Sequence, residues 1–217
     1  MTAAVTVGHG HGHGHGHTHE HSQAPVAPPE VMAYLNGEPV LRELLDDRLA
    51  VLRAGDAACV LPRPDSREGR QLTRWVAQVV LTEQLCVDEL RRRAAVVPGP
   101  RDGAAPDPID VSTAIAVGSI TAAALAGSEA VRRVAALVTA DVRIPAEQLA
   151  YAADVLGEEP PADPGVPVAG WHRELLQSAR LEAFARWLNA AMHERVQLVR
   201  GLEHPGDSNQ PDNLHRH

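Results

Sequence analysis

Residues 9–21 read His-Gly-His-Gly-His-Gly-His-Gly-His-Thr-His-Glu-His, so His9, His11, His13, His15, His17, His19 and His21 occupy every second position. In an extended chain, alternate side chains point the same way. Neutral imidazole is a ligand for borderline divalent cations. The run therefore predicts a tract that can hold Ni, Zn or Cu in many near-equal ligand sets, losing affinity as the imidazoles protonate. The carboxyl-terminal stretch Glu-His-Pro-Gly-Asp-Ser-Asn-Gln-Pro-Asp-Asn-Leu-His-Arg-His adds His204, His215 and His217 among Glu203, Asp207 and Asp212, a second candidate set of metal ligands. No cofactor is required by any pattern in the chain.

Other reactive constellations are not found. His172 and His193 stand 21 residues apart, too far to share a helix face as a metal-binding HExxH pair does. There is no GxSxG nucleophile elbow and no glycine-rich phosphate loop. Cys59 and Cys86 form no CxxC pair, and both are expected to be reduced and packed. No catalytic residue is assigned.

The totals narrow the class. With 28 acidic and 20 basic side chains in 217 residues the formal charge is −8, and every basic residue is arginine. Phosphate neutralisation needs clustered cations, so a nucleic-acid partner is not expected. The single triple, Arg91–Arg93, suits the carboxyl end of a helix, where cations complement the dipole. The most apolar stretch, Val111 to Ala126, is short and carries Ser112, Thr113, Gly118, Ser119 and Thr121, so no membrane span is expected. The first twenty residues lack the cationic start and apolar run of an export signal, which predicts a cytoplasmic protein.

The elements that must position any site are mostly helices. Residues 1–30 are low complexity and cannot bury enough surface to offset chain entropy, so disorder is predicted there. Asn36-Gly37 between two short apolar arms predicts a small β element. Leu41, Leu44, Leu45, Leu49 and Leu52 repeat at three and four and predict an amphipathic helix stopped at Gly55. Asp65 and Glu68 read as a capping box before the longest helix, whose face holds Leu72, Trp75, Val76, Val79, Cys86, Val87 and Leu90, widened by Val80, Leu81 and Leu85. Further helices are expected after Asp110, from Ser128, and after Pro145. A last one runs from Trp171 towards Arg200, with apolar stripes on two sides. The fold class is all-α, with five or six helices. The domain spans 31–200 as two blocks, 31–156 and 171–200, joined by a Pro-rich bridge at 157–170, and an irregular polar tail follows over 201–217.

Read in order, these segments resemble the chaperone module of the parvulin-type foldases, the SurA and PrsA group. "YLNGEPVLRELLDDRLA" is similar to the opening strand, Asn-Gly-Glu turn and first helix of that module, and "RQLTRWVAQVVLTEQLCVDEL" to its second helix. "VTADVRIPAEQLAYAADVL" resembles the segment in which a Val-rich strand precedes a helix, and "LLQSARLEAFARWLNAAMHERV" the closing helix. Between Tyr151 and Trp171, where the family carries its isomerase domain, only the Pro-rich bridge is present. The resemblance thus implies a truncated, non-catalytic form: a helical cradle whose apolar groove holds an unfolded or partner polypeptide. Trp75, Leu85, Trp187 and Met192 are the groove candidates. Two other functions stay open on the residues alone. One is a Ni, Zn or Cu store or metallochaperone. The other is an accessory protein or metal-using enzyme of a biosynthetic pathway.

Overall fold

A computed structural model describes residues 30–96, 108–111, 114, 120–161 and 170–206. The seven histidines His9–His21 lie outside the described residues, as do His215 and His217. Within the described residues the chain is mostly helical, with six α-helices and a small three-stranded sheet.

The chain opens with a hairpin. Strands β1 (Val31–Leu35) and β2 (Glu38–Leu41) pair antiparallel around Asn36-Gly37. Both turn residues have positive φ, 52° and 85°, the left-handed backbone that a tight two-residue hairpin needs and that Asn and Gly accept most readily. Helix α1 (Glu43–Ala54) follows and ends at Gly55, and a short 3₁₀ turn covers Asp56–Val60. Of the leucines that predicted α1, only Leu45 is fully buried. Leu41, Leu44 and Leu52 remain largely exposed, because one side of this helix faces solvent. Arg48 fixes the helix to its neighbour through both guanidinium nitrogens on the Glu83 carboxylate, at 3.2 and 2.7 Å.

Helix α2 (Arg67–Val96) is the axis of the body. Its start differs from the capping box expected at Asp65 and Glu68: Ser66 Oγ accepts the Gly69 N–H at 2.9 Å. Gly69 is required there, because a Cβ would collide with the Arg63 carbonyl oxygen. Val76, Ala77, Val79, Val80, Leu81, Leu85 and Cys86 are all buried. That distribution wraps around much of the helix, as the widened apolar face predicts for a central element.

Three helices cover one side of α2. They are α3 (Ile120–Gly127), α4 (Glu129–Val138) and, further out, α5 (Ala146–Leu156). Ser128 caps α4 through its hydroxyl, which accepts the Val131 N–H at 3.4 Å. Gly157 closes α5 in the left-handed conformation with φ 69°. The segment before Pro145 forms turns, not the Val-rich strand that the resemblance implies; Thr139 instead donates its hydroxyl to the Ala135 carbonyl and ends α4. Helix α6 (Gly170–Arg195) packs against α2 and α4 with Leu181, Phe184, Leu188 and Ala191 buried. It stops at Arg195, five residues short of the sequence-based limit. Val196–Leu198 then form β3, which pairs antiparallel with β1 and gives the order β2-β1-β3.

Two main apolar clusters result. One gathers Val79, Cys86, Leu125, Val131, Val134 and Phe184 between α2, α3, α4 and α6. The other gathers Met32, Leu45, Val76, Val80, Leu81 and Leu202 between the sheet, α1 and α2. Among the described residues no helix is long and apolar enough to cross a membrane.

Candidate functional site

The two clusters leave a cleft of about 620 Å³ between α2, α6 and the sheet, within the size range of ligand-binding clefts. Helix α2 supplies Trp75, Gln78 and Thr82, spaced three and four apart and so on one face. Helix α6 supplies Leu188, Asn189, Met192 and His193; β3 supplies Val196 and Leu198. Ile120 and Thr121 of α3 close one side, and His204 and Pro205 the other. The lining is an apolar floor with polar groups at its margins.

Several of these groups are held in place. Gln78 donates its amide to the Leu202 carbonyl at 3.2 Å, and Thr82 donates its hydroxyl to the Gln78 carbonyl at 2.8 Å. His204 Nδ1 accepts the Gly206 N–H at 3.0 Å. The neutral ring then carries its proton on Nε2, which makes it a hydrogen-bond donor in this arrangement; a metal would need that proton removed or the ring turned. Among the described residues no three His, Cys, Asp or Glu side chains gather to hold a metal ion.

The four groove residues expected from sequence separate into two pairs. Trp75, 37% exposed, and Met192 line the cleft. Leu85 is fully buried and packs with Leu188 and Ala191 beneath the floor. Trp187 stacks on Phe184 with ring centroids 5.9 Å apart and belongs to the core. Of the metal candidates, His204 lies in the cleft, joined there by His193. Gln78, Thr82, Asn189 and the β3 residues were not anticipated. The spacing of Trp75, Gln78 and Thr82 on one helix face was the available signal. His172 is elsewhere, fully buried at the start of α6 with neither ring nitrogen hydrogen-bonded.

Beside the cleft, an ion cluster anchors the end of α6. Arg195 donates to Asp88 Oδ2 and Glu89 Oε2, each at 2.8 Å, while Arg93 donates to Glu89 Oε1 at 2.7 Å. The same Asp88 oxygen accepts the Asn36 side-chain amide at 2.8 Å, so one carboxylate ties the hairpin turn, α2 and α6 together. Burial alone would raise the Glu89 pKa, but hydrogen bonds from Arg93 and Arg195 outweigh it and hold the carboxyl below its ordinary range. For Arg195 burial acts against the charge, and the bonds to Glu89 and Asp88 reverse the balance and raise its pKa. Cys86 sits near this cluster. Burial first, then repulsion from Glu89, push its thiol up to about 12, with Arg195 opposing. A thiol so rarely ionised is a core packing group, not a nucleophile. Cys59, expected to be packed, is exposed on the 3₁₀ turn.

Residues 31–68, which span the hairpin, α1 and the start of α2, match the model of a family described as a family of unknown function (DUF7158). No curated protein and no solved structure matches the chain.

Proposed function

We propose that the chain is a non-catalytic, chaperone-like module that binds apolar segments of unfolded or partner polypeptides in the cleft between α2, α6 and β3. The observation that supports this is the pairing of a half-exposed Trp75 with Met192 on an apolar floor, ringed by Gln78, Asn189, His193 and His204. An aromatic and a thioether side chain adapt to many apolar shapes, and amide and imidazole groups at the margin suit the carbonyls and N–H groups of a bound backbone. The test is suppression of aggregation when an unfolded protein is diluted from urea into the full chain. The wild type should suppress light scattering, and the Trp75→Ala/Met192→Ala double variant should need about tenfold more protein for the same effect, the order expected for losing one buried aromatic anchor. Equal suppression by both would remove the cleft from the reading.

Metal binding by the histidine tract is a second reading, carried by the alternation of His9–His21. Calorimetric titration with Ni²⁺, Zn²⁺ and Cu²⁺ tests it. Replacing those seven histidines by serine should abolish binding; retention would place the ions elsewhere.

A further inference from the structure

Helix α5 presents to solvent the kind of side chain that a surface helix ordinarily turns inward. Leu149 and Ala153 face the body and are buried. On the other side of the helix, Tyr151 is 73%, Val155 65% and Leu156 55% exposed. Gln148, Tyr151 and Val155 are spaced three and four apart and share one face. With Ala152, Leu156 and Leu175 of α6 they line a groove of about 610 Å³, which has no residue in common with the cleft. A helix face left to water is normally polar, and a patch of large apolar side chains with a polar rim marks a docking surface.

The charges around the patch narrow what can cover it. From Ile144 to Pro161 the chain carries Glu147, Asp154, Glu158 and Glu159, all exposed, and neither Arg nor Lys. The carboxyl end of α5 adds the negative pole of the helix dipole beside Val155 and Leu156. The flanking cations do not offset this rim. Arg143 donates to the Ala140 and Val142 carbonyls at 2.9 Å each, and Arg173 is matched by its neighbour Glu174. Nucleic acid and an anionic lipid surface are repelled by such a rim. A second copy would set like carboxylates against one another with no cation between them. A polypeptide with apolar side chains at helical spacing and Lys or Arg beside them satisfies both the stripe and the rim, as an amphipathic helix laid into a groove. The Tyr151 ring also offers a face on which an ammonium or guanidinium group can rest.

We propose that the groove between α5 and Leu175 docks a cationic amphipathic helix of a partner protein. Its apolar side chains pack on Tyr151, Val155 and Leu156, and its basic side chains face Glu147, Asp154, Glu158 and Glu159. This surface is separate from the cleft and is recognised by charge and helical pattern, so the two sites can be occupied independently.

Fluorescence anisotropy on the full chain tests the proposal, with a labelled peptide of about 14 residues that has leucine at helical spacing and lysine between. Binding should weaken at least about tenfold in Tyr151→Ala/Val155→Ala. Glu147→Gln/Asp154→Asn/Glu158→Gln should weaken it about threefold to tenfold at low salt and flatten its salt dependence. These substitutions all lie at exposed positions, and circular dichroism checks that each variant keeps its fold. A peptide with glutamate in place of lysine should bind at least about tenfold more weakly, and so should one with serine in place of leucine. Absence of binding by the leucine-lysine peptide overturns the inference. So does equal binding by the serine peptide, which shows attraction to net charge alone, or by the glutamate peptide, which removes the cationic partner. Binding lost in Trp75→Ala/Met192→Ala but kept in Tyr151→Ala/Val155→Ala overturns it by moving the peptide to the cleft. Self-association of the wild type that Tyr151→Ala/Val155→Ala abolishes overturns it by assigning the face to a second copy.

Discussion

Strand β1 has two partners, and they are held by different means. β2 is reached through a two-residue turn whose backbone conformation suits Asn36 and Gly37, so local geometry alone sets its register. β3 comes from the far end of the chain and is placed by what precedes it. Arg195 at the end of α6 binds Asp88 and Glu89 on α2, and its carbonyl accepts the Asn36 N–H. The contrast teaches that one partner of β1 is local in origin, whereas the other, beside the cleft, depends on tertiary contacts. Perturbations of the ion cluster should therefore act on β3 and leave β2 in place.

Arg195→Ala tests this most severely. It removes the cation shared by Asp88 and Glu89, whose side chains are 28% and 11% exposed, and leaves Glu89 only Arg93 and Asp88 only the Asn36 amide. Loss of two charge-assisted hydrogen bonds should lower stability by about 3–5 kcal/mol in chemical denaturation, and the Val199 amide, bonded to the Met32 carbonyl, should exchange faster while the pairing of Val40 with Ala33 persists. A loss shared equally by both pairings would erase the distinction between the partners.

A matched pair of truncations sharpens it on the cleft side. Leu85→Ala empties a fully buried position and should cost about 3 kcal/mol of stability. Trp75→Ala, at a site already 37% exposed, should cost less, about 1 kcal/mol, while weakening client binding. If the two cost the same stability, Trp75 belongs to the core and the cleft loses its floor.

The mildest probe is pH. The Glu89 carboxyl has a folded pKa below its ordinary value, so its contribution to stability is fully present above the ordinary 4.5 and is lost as pH falls through the depressed folded value. Acid titration of stability should therefore show a component in that window that Glu89→Gln removes. An unchanged acid limb in the variant would mean that other carboxylates govern the transition.

Much of the local architecture was legible in the chain. The Asn-Gly hairpin, Gly55 after α1, Ser128 capping α4 and the wide apolar face of α2 all follow from short-range chemistry, and each is present. The cleft was legible only in part. Trp75 and Met192 lie in it, but Leu85 and Trp187, equally apolar and on the same two helices, lie beneath it, because periodicity shows that a face is buried without showing which neighbour covers it.

The boundary between the two kinds of information falls at Arg195. The sequence by itself determines where helices can form and stop, since propensity, capping and turn conformation act over a few residues. It extends α6 towards Arg200 because nothing within Val196–Leu198 opposes a helix. Only the folded body, bringing Asp88, Glu89 and the open side of β1 to that point, makes a strand the better use of those backbone groups. Partners more than a hundred residues away, such as Asp88 and Arg195, act through space, and no local pattern records them.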